Sequence, residues 1–215
     1  MRKAAALVIA LVIGALGAQA QKVFLGPTLL FKGGVNAGNI PEGQKTAMNI
    51  NGMPDISANV LWLFNKGANL GIIGDIAYSS VSFRMRPESE AAANDNNTSI
   101  INPTYLTIAP GVYLSSFTLG LGINLPMGMN VSTVSGTELS TNSDNLQSPM
   151  LDVRIGGMVP VFEHETGRLS VLVHFAYAIS GLNKSVTGVD DTYNPKVMSG
   201  GLGLAYHFNL TNMLE

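Results

Sequence analysis

Apolar and polar residues alternate one by one along most of the chain from Gln21 onward. The pattern is clearest between Phe117 and Met127, where the odd-numbered residues are large and apolar and most residues between them are Thr, Gly or Asn. Successive side chains of a β-strand point to opposite faces, so this periodicity predicts strands with one apolar face. Eight such segments can be identified, which predicts an all-β chain.

Short and long connections alternate strictly between these segments. The predicted strands cover residues 23–32, 57–65, 70–84, 104–115, 117–127, 151–161, 169–180 and 200–208. The long connections are 33–56, 86–103, 130–149 and 181–196. This order predicts an antiparallel up-and-down meander with all long connections at one end. The first long connection has room for a further short strand pair, which would make ten strands instead of eight.

The face opposite the apolar stripes carries small or weakly polar residues, mainly Gly, Ala, Ser and Thr, with a few charges. A soluble sheet would place Lys, Glu and Thr on its second face. A narrow barrel with a crowded polar interior and an apolar outer face in lipid accounts for both faces. Four residues depart from the rule and are expected to pack inside the barrel near the short turns: Leu61, Leu63, Ile73 and Leu172.

Composition narrows the classes of protein that fit. Only 12% of the residues are charged and the mean hydropathy is +0.26, yet no stretch after the first twenty residues resembles a membrane helix. A closed barrel is the other fold that satisfies its backbone in lipid. The chain has no cysteine, which excludes disulfides, thiolate metal sites and cysteine nucleophiles. The net charge is −2 and no basic run occurs, so nucleic acid is not an expected partner.

The first twenty residues differ from the rest. Arg2 and Lys3 precede an apolar run from Ala4 to Gly17, and Ala18-Gln19-Ala20 has the small-x-small pattern of a signal-peptide cleavage site. We therefore expect export and cleavage after Ala20. The chain is divided into a signal peptide (1–20), a β-barrel (21–208) and a short C-terminal tail (209–215).

The last predicted strand, Gly200 to Phe208, ends on an aromatic residue. With the leader and the eight segments, it resembles the small outer-membrane β-barrel domain family of Gram-negative bacteria, including OmpX-like and OmpA-like barrels. The stretch from Asn102 to Pro110 is similar to the Pro-bearing strands of Bacteroidota members. The resemblance covers residues 21–208, whereas members often end on the terminal aromatic residue and seven residues follow it here.

The resemblance implies an eight-stranded antiparallel up-and-down transmembrane β-barrel in the outer membrane. It also implies outer-membrane lipid as the surroundings and a last strand that is read by the barrel-assembly machinery. We expect a monomer. Aromatic residues fall near the predicted strand ends, as in interfacial girdles. Those near the short turns are Trp62, Phe64, Phe117, Phe162 and Phe208, and those nearer the long connections are Tyr78 and Tyr177.

A polar network inside the barrel is the main candidate site. Five residues have inward parity: Asp75, Asp152, Arg154, His174 and His207. Asp152 and Arg154 are two residues apart on one strand and therefore face the same way. Because charges in a narrow lumen are costly unless paired, ion pairs and hydrogen bonds are expected. The other interpretation is a narrow polar path or gate lined by charges. Side chains nearly fill an eight-stranded interior, which argues against a wide pore.

Catalysis by a histidine-activated serine is the main alternative, since some barrels of this size are lipid-modifying enzymes. His174 and His207 have inward parity, but no compact His-x-Ser element occurs, and we predict no catalytic residues. A soluble periplasmic barrel with its apolar stripes turned inward around an apolar ligand is the second alternative.

No metal or cofactor site is predicted. The turn from Glu163 to Glu165 has too few ligands of fixed geometry, and Asp190 and Asp191 lack the ligand spacing of a calcium loop. The expected function is therefore a non-enzymatic one, structural or in surface interaction, with minor passage of small solutes.

Overall fold

The computed structural model describes residues 22–64, 70–89, 97–134, 137–141, 143–184 and 193–213. The predicted signal peptide lies outside these residues. The described elements are β1 (Lys22–Asn36), β2 (Gln44–Ile50), β3 (Asp55–Leu63), β4 (Leu70–Ser80), β5 (Phe83–Pro87), β6 (Ser99–Leu114), β7 (Phe117–Ser132), β8 (Glu138–Thr141), a 3-10 turn (Ser143–Asn145), β9 (Met150–His164), β10 (Gly167–Ala178), β11 (Val197–Asn209) and the helix α1 (Leu210–Met213). In this part of the chain no helix has the length and apolar character of a membrane span.

Eight strands form a closed ring in the order β1, β3, β4, β6, β7, β9, β10 and β11. Neighbouring strands of the ring are antiparallel and follow one another in sequence order, and β11 pairs with β1 to close the barrel. The register of the closing pair places Phe24 opposite Asn209 and Asn36 opposite Val197. The prediction of an all-β, eight-stranded up-and-down barrel is confirmed, and both ends of the barrel sequence lie at the end with the short turns.

The three remaining strands lengthen the wall of the barrel at the opposite end. β2 and β3 both pair with β1, separated only by residues 51–54. β5 keeps the register of β4 against β6 across residues 81–82. β8 and β9 both pair with β7. The ring therefore stays at eight strands, and the ten-strand alternative does not apply to the described residues.

The predicted lengths of the long connections are wrong. Strand structure occupies much of 33–56 and reaches into 86–103 and 130–149, because β1, β6 and β7 extend beyond their predicted ends. In β8, which reads Glu-Leu-Ser-Thr, and in β2 polar residues occur on both faces. The contrast between alternate residues is then lost, and with it the signal that identified the other strands.

The two faces of the barrel are as different as the alternation predicts. Leu121 in β7 and Leu204 in β11 point outward and are 54% and 53% exposed, whereas Thr107 and Ser170 point inward and are fully buried. The same alternation holds along most of β1, β3, β4, β6 and β10. It ends in β9 after Met158, where residues 159–164 are all exposed and the register with β10 shifts. The apolar stripes therefore lie on the outside of the barrel.

The turn between β6 and β7 consists of two residues, Ser115 and Ser116, with positive φ of 48° and 77°. A two-residue hairpin connection needs this left-handed backbone to match the twist of its strands. Asn-Gly usually supplies it, so the sequence gives a weak turn signal here although the connection is as short as predicted.

Candidate functional site

The polar interior of the barrel is organised around two buried ion pairs. The first joins Lys32 of β1 to Asp55 of β3, with 2.5 Å between Nζ and Oδ2. Ser79 accepts a hydrogen bond from Lys32 Nζ at 2.8 Å and donates one to Asp55 Oδ2 at 2.8 Å. The backbone N–H of Ser80 donates to the other carboxylate oxygen at 3.0 Å. Each charge is thereby paired and its polar atoms are satisfied.

The second ion pair is the one that the sequence spacing suggests. Arg154 Nε lies 2.6 Å from Asp152 Oδ1, and a terminal nitrogen of Arg154 donates to Oδ2 at 3.0 Å. Asn124 of β7 donates to Asp152 Oδ2 at 2.7 Å and accepts from Arg154 at 3.2 Å. Thr107 of β6 donates to Asn124 at 2.6 Å, so the network spans three strands.

Asp75 and His174 line one small cavity near the middle of the lumen, together with Arg154. The cavity has a volume of about 80 Å³, which is room for a few water molecules. Ser57 donates to Asp75 at 3.0 Å and also contacts Thr28.

His207 shares a 2.7 Å hydrogen bond, through Nε2, with the side-chain oxygen of Asn59, which lines the same cavity. Four of the five predicted residues thus lie in or beside the cavity, and His207 is joined to it through Asn59.

An apolar cluster fills the lumen at the end with the short turns. Its buried members are Phe24, Leu61, Leu63, Ile73, Tyr113 and Met158, with Leu172 packed against them. The prediction that the four apolar exceptions pack inside at this end is confirmed. Arg168 of β10 lies over the rings of Phe24 and Tyr113, at 5.0 and 5.7 Å from the ring centroids. Among the described residues the buried guanidinium has these cation–π contacts and no carboxylate partner.

A second apolar cluster fills the opposite end. It consists of Phe83, Met85, Tyr105, Leu146, Met150, Ala178, Leu182 and Val197, with Val81, Ile101, Met129 and Tyr193 packed against it. Tyr193 donates a hydrogen bond to the Met85 sulfur at 2.8 Å, and burial raises the pKa of Tyr193 to about 12. The polar middle of the lumen is therefore enclosed between two apolar clusters.

Sequence reasoning missed Lys32, Asp55, Arg168 and the second cluster. The parity of Lys32, opposite to that of Leu29 and Phe31, was the available signal. Asp55 lies in a stretch that looks like a loop. Nothing local marks residues such as Leu146, since they reach the lumen from segments outside the regular strands.

The predicted girdle residues lie on the outer face. Phe117, Phe162 and Phe208 are exposed near the short turns, and Trp62 and Phe64 are partly exposed there. Tyr78 and Tyr177 are exposed further along their strands. The ring of Tyr206 also packs edge-on against Phe208, with 5.0 Å between centroids.

The histidine–serine alternative finds no support in the hydrogen bonds. Ser170 and Ser199 are buried in the lumen, and Ser180 accepts a bond from the backbone of Leu151. Among the described residues no serine hydroxyl is hydrogen-bonded to a histidine.

The turn that contains Glu163 and His164 is exposed, and Glu163 pairs with Lys22 at 3.4 Å. Over the described ranges no three His, Asp or Glu side chains are grouped as a metal ion would require. Asp190 and Asp191 lie outside those ranges.

Comparison with known proteins gives structural neighbours only. No family model and no curated protein matches the chain. Among solved structures it is similar to Ail, the attachment invasion locus protein of Yersinia pestis, crystallised with the heparin analogue sucrose octasulfate (16% identity, TM-score 0.38, 87% of this chain and 100% of that chain). It is also similar to Neisserial surface protein A (12%, 0.37, 86% and 96%) and to the outer membrane protein OprG of Pseudomonas aeruginosa (14%, 0.34, 88% and 98%). Identities and TM-scores this low do not assign the chain to a family.

Proposed function

We propose that the chain is a non-enzymatic integral outer-membrane barrel with a structural or surface-interaction role. The observation that carries this proposal is the continuous apolar belt on the outer face. On β11 the belt runs from Phe208 to Met198, ten residues apart. At about 3.3 Å per residue and a strand tilt of about 40°, it is about 25 Å tall, the height of the apolar band of a transmembrane barrel.

The interior supports the same proposal. A soluble ligand-binding barrel would turn its apolar stripes inward around a pocket. Here the lumen contains two ion pairs and two packed clusters, and most of the large apolar side chains on the strands of the ring point outward. The exposed apolar surface far exceeds the few hundred Å² of patch usual for a soluble monomer, so water is an unsuitable surrounding for it.

We expect a tryptophan placed at Leu121 to be quenched by lipids that are brominated in the middle of their acyl chains. Leu121 lies on the outer face near the middle of the belt on β7. The test uses a Trp62→Phe background, so that the new tryptophan is the only one in the chain. The measurement is the fluorescence of the variant folded into vesicles with and without brominated lipid.

Leu139→Trp is the matched control, because Leu139 is exposed on β8 beyond the belt. We expect strong quenching at 121 and weak quenching at 139. A water-soluble protein with no quenching at either position would reject the membrane barrel and favour the soluble alternative.

Solute passage is proposed to be negligible in the resting barrel, because both ends of the lumen are packed with apolar side chains. In planar bilayers we expect wild-type conductance close to background. The double variant Phe24→Ala/Leu61→Ala removes two large side chains from the cluster near the short turns. It opens only that end of the lumen, so the conductance should stay low. Adding Phe83→Ala and Tyr105→Ala should produce open events. Steady wild-type conductance would contradict this expectation.

The leader supports export, and the proposed localisation is the outer membrane after cleavage behind Ala20. In the proposed orientation the short turns face the periplasm and the long connections face outward. Surface interaction is then proposed to involve the extended end of the wall, formed by β2, β5 and β8. The barrel-assembly machinery is proposed to read β11, which ends on Asn209 directly after Phe208.

A further inference from the structure

A groove interrupts the apolar outer face where β1 meets β11. Gly33 of β1 is paired with Gly200 of β11, and both positions have outward parity. Two side chains are therefore missing next to each other on the outside of the barrel. The resulting groove has a volume of about 650 Å³.

The walls of this groove are large and apolar. They are formed by Phe31, Met48, Ile50, Phe175, Met198 and Leu202. All six side chains are exposed in the structure, and Ile50 is 70% exposed. A volume of this size, lined by methylene, methyl and ring carbons, fits a section of hydrocarbon chain better than any polar ligand.

Glycine is what keeps the groove open. A Cβ atom at Gly200 would lie 3.3 Å from the ring of Phe175, and one at Gly33 would lie 2.7 Å from the terminal methyl of Met48. A larger side chain at either position would therefore occupy the groove itself. Gly74 provides the contrast, since it also faces outward but a Cβ there would meet nothing within 4 Å.

A positive charge lies next to the groove, because Lys196 is two residues from Met198, one of the residues that line it. Pro195 and Val197 are buried, whereas Lys196 is half-exposed and Met198 is exposed, so Lys196 shares the outward face with the groove. Its backbone is fixed by Asn36 and Ala37, but no hydrogen bond or ion pair of its side chain is found within the described residues. Because Met198 is at the edge of the 25 Å belt, the ammonium group lies at about the level of lipid headgroups.

We infer that this groove binds one acyl chain of an anionic lipid, whose phosphate pairs with Lys196. The inference rests on the proposed function, because it requires this face of the barrel to be in a bilayer. The groove holds the chain against Phe31 and Phe175, and the cation selects a negative headgroup over a zwitterionic one. The pair of glycines and the unpaired lysine at their edge together distinguish this site from the rest of the belt.

The test is native mass spectrometry of the full mature protein released from neutral detergent, with palmitoyl-oleoyl phosphatidylglycerol or phosphatidylcholine as the probe lipid. We expect the wild type to retain one phosphatidylglycerol. Gly200→Val, which fills the groove, and Lys196→Gln, which removes the charge, should each lower its retention about tenfold, a factor in line with the loss of a few contacts or one ion pair. Gly74→Val is the matched control and should retain lipid like the wild type.

Insertion into phosphatidylcholine vesicles is scored separately for every variant. A wild type that fails to insert would overturn the proposed function, whereas a wild type that inserts but retains no lipid would overturn only this inference. Equal retention of both lipids, or unchanged retention in Gly200→Val and Lys196→Gln, would also overturn it. A dimer in place of the lipid adduct would show that a second copy covers the groove and would reject the lipid site.

Discussion

Lys32→Met is expected to lower the free energy of unfolding by about 3–5 kcal/mol, the usual cost of removing one partner from a buried ion pair. The ammonium of Lys32 and the carboxylate of Asp55 are both buried in the lumen, 2.5 Å apart. Methionine keeps most of the volume of the lysine stem, so the loss comes from the carboxylate, which keeps its bonds from Ser79 and Ser80 but loses its counter-charge.

The measurement is unfolding by urea from phosphatidylcholine vesicles, followed by the fluorescence of Trp62. Lys45→Met is the matched control, because Lys45 and Glu88 form an exposed pair at 3.1 Å, and such pairs contribute about 0–1 kcal/mol. Removing both buried charges, in Lys32→Met/Asp55→Leu, should recover most of the loss. If Lys32→Met costs no more than Lys45→Met, the buried pair is not what stabilises this part of the lumen.

Leu121→Arg is expected to cost about 2–4 kcal/mol when the protein is folded in a bilayer, since that is the cost of arginine at the middle of a barrel's lipid face. Leu121 is four residues from Phe117 and six from Met127, the two ends of the belt on β7. In the described strands β6, β7 and β9 no carboxylate lies on the outer face near it, so the guanidinium would have to reach the headgroups or draw water into the lipid.

Leu139→Arg serves as the control for this second prediction. Leu139 is as exposed as Leu121 but lies on β8, past the end of the belt, so we expect a change of no more than about 1 kcal/mol. Both values come from the same urea unfolding experiment. Similar costs at the two positions would mean that the outer face of β7 does not cross lipid, and would count against a transmembrane barrel.

The fold could be predicted because one physical contrast recurs in every strand of the ring. Each strand separates a crowded interior from an apolar exterior, so neighbouring residues such as Leu119 and Gly120 differ in the same sense along most of the ring. Leu61 and Leu63 broke this alternation in a way that also predicted their place in the turn-end cluster. In β2 and β8 the contrast is lost, and in β5 it is reversed, with Phe83 and Met85 buried and Arg84 and Arg86 facing away from the lumen, so these three strands were not recognised as separate elements.

The candidate site was predictable only where its partners are close in sequence. Asp152 and Arg154 are two residues apart, so their shared face follows from strand geometry. Lys32 and Asp55 belong to different strands, and their pairing depends on the register of β1 against β3, which the sequence alone does not specify. Within the described residues Arg168 has no acidic partner that could have indicated its position; its guanidinium lies over two aromatic rings from distant strands.

The extension of the wall by β2, β5 and β8 bears on how a partner would meet this protein. The continuous run of β4 and β5 covers residues 70–87. With the same rise per residue and the same tilt, it extends about 43 Å along the barrel axis, roughly 18 Å more than the height of the belt. The described strands therefore continue well beyond the height of the apolar belt. An antibody or receptor that binds this end of the wall would bind at a fixed distance above the lipid headgroups. Much of the conformational entropy that flexible stems would lose on docking has already been lost during folding.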